Sequence, residues 1–461
     1  MKNAEELGLN KHEPLKPYIK IGWAIGELAI AAFVVLQMAF MLFYCTEALH
    51  IPPAIAGFAL LLPRLLDAFA DPLMGALSDR TKSKLGRRRF YLALGAPLLA
   101  ISFGAVFFIP ADWPLGPKVA LLVVSFLVSN AAVTIYEVPY SSMAAEMTQS
   151  YKERTTLAGY KMFAARFTGV LVAYGAPKIF GTRETLAEGF QQLGLVAGAL
   201  ILITGLWGFF STKNAPRIEH TPQIFSIKDE ISSVLQNKAF AKLWSAFFLQ
   251  NLAIGVSATT LIYFVTQIML IPPKDSGQFM FAGALAALVA TPVWVFVGRK
   301  IGKQRGYIIA IIGAALTAIP ALFILPTQIA IFFPILILAG ILDAANQLFP
   351  NAMVPDTVEV DELRTGLRRE GAIFGAWGFA RKLGMTGGAF LVSQLLAIIH
   401  FVPGLAPTLQ EDGALSGIRL IYAAVPLGIW IATFFAFRLY DLSEVRFEQI
   451  KQEIKNKNEA K

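Results

Sequence analysis

The chain has 461 residues, of which 56% are hydrophobic and only 15% charged, against ~25% charged in soluble domains. That balance excludes an ordinary soluble enzyme and describes a polytopic all-α membrane protein. A single cysteine, Cys45, rules out an internal disulfide, four scattered histidines with no HExxH argue against a metal enzyme, and the net charge of +9 gathers in short loops, where it marks membrane topology and not nucleic-acid binding.

The first 20 residues are polar, without a cleavable signal pattern. Twelve apolar stretches then follow that can each span a core of ~30 Å: roughly 21–45, 53–78, 90–109, 119–142, 156–179, 190–211, 240–269, 277–298, 307–325, 328–354, 371–400 and 416–438. Loops after the even-numbered spans are basic (DRTKSKLGRRR, QSYKERT, GRKIGKQRG, DELRTGLRRE), and the opposite loops are poor in Lys and Arg. Basic loops stay in the cytoplasm, so both termini are expected there, in a plasma membrane such as the bacterial inner membrane. The polar insert 212–239 divides the chain six plus six, and within it SIKDEISSVLQNKAF (226–240) reads as a short amphipathic surface helix. The expected organisation is a six-helix bundle over 1–211, a linker over 212–239, and a second bundle with a tail over 240–461.

The spans carry a few charges, each of which costs ~2.5–3.5 kcal/mol at mid-bilayer unless paired or lining a path. Glu27 stands alone in the first. The second holds Arg64, Asp67 and Asp71. The two acids are four apart, so a regular helix puts both on one face, where they share a proton or hold a cation. Glu137 precedes Val-Pro in the fourth span and reads as a cavity-lining acid. Arg381 and Lys382 are adjacent in the eleventh, about 100° apart on a helix, so they are expected not to face the same site. Arg381 would meet an anionic group of a substrate. Tyr136, Tyr140 and Trp377 neighbour these positions and would stack on a sugar ring.

The halves echo each other. PLMGALSDRTKSKLGRRRFYLA recurs in degraded form as PVWVFVGRKIGKQRGYIIA, and VPYSSMAAE as FPNAMVPD. Such a repeat suggests two bundles that rock about a central substrate site.

Three motifs, DAFADPLMGALSDRTKSKLGRRR, YEVPYSSMAAEMTQSYKERT and PDTVEVDELRTGLRREGAIFGAWGFARKLG, give the chain a resemblance over nearly its whole length to the glycoside–pentoside–hexuronide:cation symporters of the major facilitator superfamily, the melibiose-permease-like family. The resemblance implies a cation site at Asp67, Asp71 and Thr134, a sugar-contacting acid at Glu137, and a lysine at Lys382 beside the cation site. It implies a gate at Gly75, Asp79, Arg80, Arg87, Arg88 and Arg89, with Gly75 allowing close packing. Asp361, Glu362, Arg364, Arg368, Arg369 and Glu370 are expected to form a second charged network. The family's helix-one acid falls on Ala31, with Glu27 one turn earlier. Its stacking aromatic falls on Ser141, its helix-five arginine near Lys161 or Met162, and a helix-two amide on Ala70. The implied function is alternating-access symport of a sugar-like solute with Na⁺ or H⁺, by a monomer that needs no other cofactor. Transport of a lysolipid or similar amphiphile, and an intramembrane enzyme whose DxxxD binds metal, are the alternatives.

Overall fold

A computed structural model describes residues 15–148, 150–216, 236–326, 328–366, 369–442 and 444–459. Regular structure among them is helical throughout. The first half comprises α1 (Pro17–Phe43), α2 (Pro53–Arg80), α3 (Arg89–Val106), α4 (Leu115–Met147), α5 (Tyr151–Phe180) and α6 (Leu186–Ser211). The second comprises α7 (Lys238–Tyr263), α8 (Gly277–Ile301), α9 (Lys303–Ala318), α10 (Ile329–Thr365), α11 (Glu370–Ile398) and α12 (Asp412–Arg438), followed by α13 (Glu444–Glu459). The expected amphipathic segment lies largely on 217–235, outside the described residues.

Nine of the described helices are long and apolar enough to cross a membrane, and α2 adds a tenth if its segments Pro53–Asp67 and Ala70–Arg80 form one bent span. Helices α5 and α11 fall short because charges interrupt them, Lys161 and Arg166 in one, Arg381 and Lys382 in the other. By composition the twelve expected spans thus become nine or ten.

Helix pairing repeats between the halves. In the first, α1 packs on α5 and α6, α3 on α4 and α6, and α2 on α4. In the second, α7 packs on α11 and α12, α9 on α10 and α12, and α8 on α10. The halves meet along α1–α7, α2–α11 and α5–α8. A further repeat escapes a reading for charge. YCTEALHIPP ends α1 and FVTQIMLIPP ends α7, and each forms a π-helical turn, Tyr44–Ala48 and Phe264–Ile268. His50 and Leu270 then each take φ 54°, and a Pro-Pro pair starts the next element.

These two turns sit at the end of the molecule away from the basic loops, and that end is sealed. Phe40, Phe43, Phe180, Phe190, Tyr263 and Phe401 are all buried there. Phe180 stacks on Phe190 at 4.5 Å, and Tyr263 meets Phe43 at 5.4 Å and Phe401 at 5.7 Å. The Thr46 and Tyr263 hydroxyls hydrogen-bond across the halves at 2.7 Å, and Thr259 donates to the Met38 carbonyl at 3.1 Å.

Glycines permit the closest helix approaches. A Cβ on Gly26 would lie 2.9 Å from the Tyr136 hydroxyl and 3.3 Å from the Gly208 Cα. One on Gly388 would lie 2.6 Å from the Leu252 carbonyl oxygen and 2.6 Å from the Val256 nitrogen, backbone atoms of α7 that cannot swing aside. Gly388→Val is therefore expected to destabilise the fold by about 1–3 kcal/mol or more, seen as a lower melting temperature of the detergent-solubilised protein. Gly75, expected to allow close packing, does not do so: its Cβ would meet only Val138, at an ordinary 3.9 Å.

Candidate functional site

The charges that the sequence places inside the apolar spans come together between the halves. Glu137 of α4 lies within electrostatic reach of Lys382, Lys161, Arg381 and Arg64. Arg381 and Lys382 thus both reach one acid despite their angular separation on α11, because long side chains lean over the intervening surface.

The two α2 acids do not share one partner. Pro72 has no N–H for the carbonyl of residue 68, and its ring crowds that carbonyl. Helix α2 bends by 40° between Asp67 and Ala70, so a straight-helix face does not carry through to Asp71. Asp67 accepts from Arg64 at 3.2 Å, and Arg64 also donates to Gln37 of α1. Asp71 instead accepts from Lys382 of α11 at 2.5 Å and from the Thr134 hydroxyl of α4 at 3.1 Å. Asp67 is buried, whereas the side chains of Asp71 and Lys382 keep 31% and 25% of their surface open. One acid is buried with its hydrogen bonds inside the first half, and the other is a solvent-reachable link between halves. Groups of three or more His, Cys, Asp or Glu able to hold a metal ion are absent among the described residues.

Beside this pair, Lys161 of α5 donates to Ser141 at 2.9 Å and lies 3.6 Å from Glu27. The lone acid of α1 therefore pairs with α5. The rings expected to stack on a sugar are used for packing. Tyr140 is fully buried, stacked on Trp23 at 4.9 Å and on Tyr136 at 5.6 Å, and its hydroxyl donates to the Trp23 carbonyl at 2.8 Å. Tyr136 is equally buried and donates to the Gly205 carbonyl at 3.2 Å. Trp377 stacks on Phe247 at 3.8 Å and donates to Asn351 at 2.8 Å. Arg381 is exposed and makes no hydrogen bond or ion pair among the described residues.

The basic turn is organised by an acid the sequence reading passed over. Glu146 of α4 accepts from Arg87 and lies 3.3 Å from Arg88, which also bonds Asp79 at 3.0 Å. Arg89 departs from this group, donating to the Phe209 carbonyl at 2.9 Å with its guanidinium 4.4 Å over the Phe209 ring. Arg80 is exposed. In the other half Asp361 accepts from Arg364 and Arg369, each at 2.9 Å. Glu362 lies beside it on α10, and Arg368 lies outside the described residues. Because conformational steps often set turnover, Glu146→Gln is expected to lower maximal uptake several-fold while leaving substrate affinity unchanged, checked by comparing initial uptake rates with equilibrium binding.

A second link between the halves was also missed. Arg166 of α5 and Asp343 of α10 pair at 2.9 Å, both about one-third exposed. The signal was present: Asp343 is the only acid between Asp275 and Asp356, in an apolar stretch, and deserved the same reading as Asp67.

The comparisons with known proteins give this geometry its setting. The family model described as MFS/sugar transport protein matches residues 22–444. The chain belongs to this family. It is a transporter and not an enzyme, which removes the metal-enzyme reading of DAFAD. Among its relatives, the glucuronide carrier protein homolog of Escherichia coli (strain K12) is 26% identical over 95% of this chain and 96% of its own. The putative glycoside/cation symporter YagG of the same strain is 25% identical over 94% of each. The transporter also shares the fold of the D-xylose-proton symporter, with a TM-score of 0.66 at 13% identity over 92% of this chain and 98% of that one.

Proposed function

We propose that this transporter is a cation-coupled symporter of a sugar or glycoside-like solute, working by alternating access between two six-helix bundles, 1–211 and 240–461, joined by the linker 212–239. The observation that carries the reading is Asp71, held jointly by Thr134 of its own half and Lys382 of the other. A Na⁺ or H⁺ arriving at Asp71 competes with Lys382 for the carboxylate, and the displaced lysine becomes free to meet substrate beside Glu137. Asp67 supports the cation site from behind. Glu27, Glu137, Ser141, Lys161, Arg381 and Lys382 line the solute site, where the exposed Arg381 suits an acidic substituent. The names of the relatives, a glucuronide carrier homolog and a glycoside/cation symporter, favour this class over an amphiphile. The sealed end faces outward and the basic loops and both termini face the cytoplasm of a bacterial inner membrane, in a protein that works as a monomer.

The test is thermal stability of the purified protein against glycosides, uronides and lysolipids, with and without Na⁺ and at several pH values. A ligand that binds the folded state raises the melting temperature by mass action. Sugar stabilisation that grows with Na⁺ or with falling pH supports the reading and names the ion, because linkage is reciprocal. Stabilisation by lysolipid alone overturns it.

A further inference from the structure

We propose that Asp343, with Arg166 as its ion-pair partner, is the carboxylate through which the second half of the chain grips the solute's hydroxyl groups. This rests on the sugar-symport reading above and extends it to residues outside the site described there.

The Arg166–Asp343 pair is poorly explained as a fastening. Both side chains are about one-third exposed, and so open an ion pair adds little to stability. Placing two charges in the middle of α5 and α10 is nonetheless expensive in a bilayer. The pair also joins helices of the two halves, surfaces that must part when the bundles rock, as Asp71–Lys382 does.

The chemistry points to a solute contact. A carboxylate accepts from two neighbouring hydroxyls at once, and a guanidinium donates to a ring or hydroxyl oxygen. A solute passed between bundles has to be held by both. Of the first half's acids at the site described above, Asp67 is bound to Arg64, Glu27 to Lys161 and Asp71 to Lys382, which leaves Glu137 as the acceptor there. In the second half the stretches 240–269, 277–325, 328–354, 371–400 and 416–438 contain one acid, Asp343. Gln347 follows one turn later on the same face of α10 and is only half-buried, adding an amide to that wall. When solute binds, its hydroxyls replace part of the Arg166 bond to Asp343, so occupancy loosens a link between halves while the solute substitutes for it.

The experiment measures binding of methyl β-D-glucuronide and methyl β-D-glucoside to the purified full-length protein, and in parallel its stabilisation by Na⁺ and by low pH. D343N is expected to weaken glycoside binding about tenfold or more, while stabilisation by the cation stays at the wild-type level. If D343N fails to fold, D343E keeps the charge, moves the carboxylate, and is expected to show the same loss. The swapped variant R166D/D343R separates a solute contact from a fastening: it is expected to keep about wild-type thermal stability without recovering binding. Binding by D343N within about twofold of wild type, or recovery of binding by the swap, overturns the assignment. A wild-type protein that answers to neither glycoside nor cation overturns the symport reading, and this assignment with it. A normal wild type beside an unaffected D343N sinks this assignment alone.

Discussion

Replacing Asp71 with asparagine is expected to abolish cation-driven accumulation. Asp71 is the one α2 acid that is both open to solvent and bonded across the halves, accepting from Lys382 at 2.5 Å and from Thr134 at 3.1 Å. An inward cation supplies about 2.3 kcal/mol per charge per 100 mV, enough for roughly fortyfold accumulation of a coupled neutral solute. An amide cannot neutralise Lys382 and offers an incoming cation no charge. In proteoliposomes with an imposed Na⁺ or H⁺ gradient, Asp71→Asn should bring solute to about the same concentration inside and outside. Exchange of solute down its own gradient should persist, because the carbonyl oxygen of Asn still accepts from Lys382. Gradient-driven accumulation at the wild-type level in this variant would move the coupling site elsewhere, first to the buried Asp67.

Replacing Glu137 with glutamine should instead separate solute from cation. Glu137 lies among four bases, Lys382, Lys161, Arg381 and Arg64, and makes no ion pair among the described residues. It is therefore available to hydroxyl donors of a solute. Hydrogen bonds to a charged acceptor contribute about 1.5–3 kcal/mol, so Glu137→Gln is expected to weaken solute binding roughly 10- to 100-fold. Stabilisation by the coupling cation should change little, since Asp71 keeps its Thr134 and Lys382 contacts. Calorimetric titration of a glycoside checks the first part, and melting curves with and without Na⁺ or at low pH check the second. Parallel loss of both would make Glu137 part of the cation site.

The chain's class, its half-repeat and its costly intramembrane charges were legible without coordinates, because each follows from local chemistry. Apolar length, basic loops and an acid in an apolar run carry the same physical meaning wherever the helices end up. The sequence marks Glu27, Arg64, Asp67, Asp71, Glu137, Lys161, Arg381 and Lys382 one by one, and the structure brings them together between the halves, Arg381 and Lys382 included despite their angular separation. What remained hidden was the pairing. Helical periodicity put Asp67 and Asp71 on one face, but the bend ahead of Pro72 turns them to different partners, and that depends on where α1 and α11 bring Gln37 and Lys382. Tyr136, Tyr140 and Trp377 had the composition of sugar-stacking residues, yet tight approach of α1, α4 and α6 around Gly26 and Gly208 uses the two tyrosines as packing. Phe247 of α7 likewise covers Trp377. Glu146 and Asp343 bear the same point from the other side, since their partners lie 59 and 177 residues away and no spacing rule reaches that far. A side chain's type is written in the sequence; which neighbour satisfies it is settled only when distant helices pack, because burial, charge pairing and backbone bends all act through space.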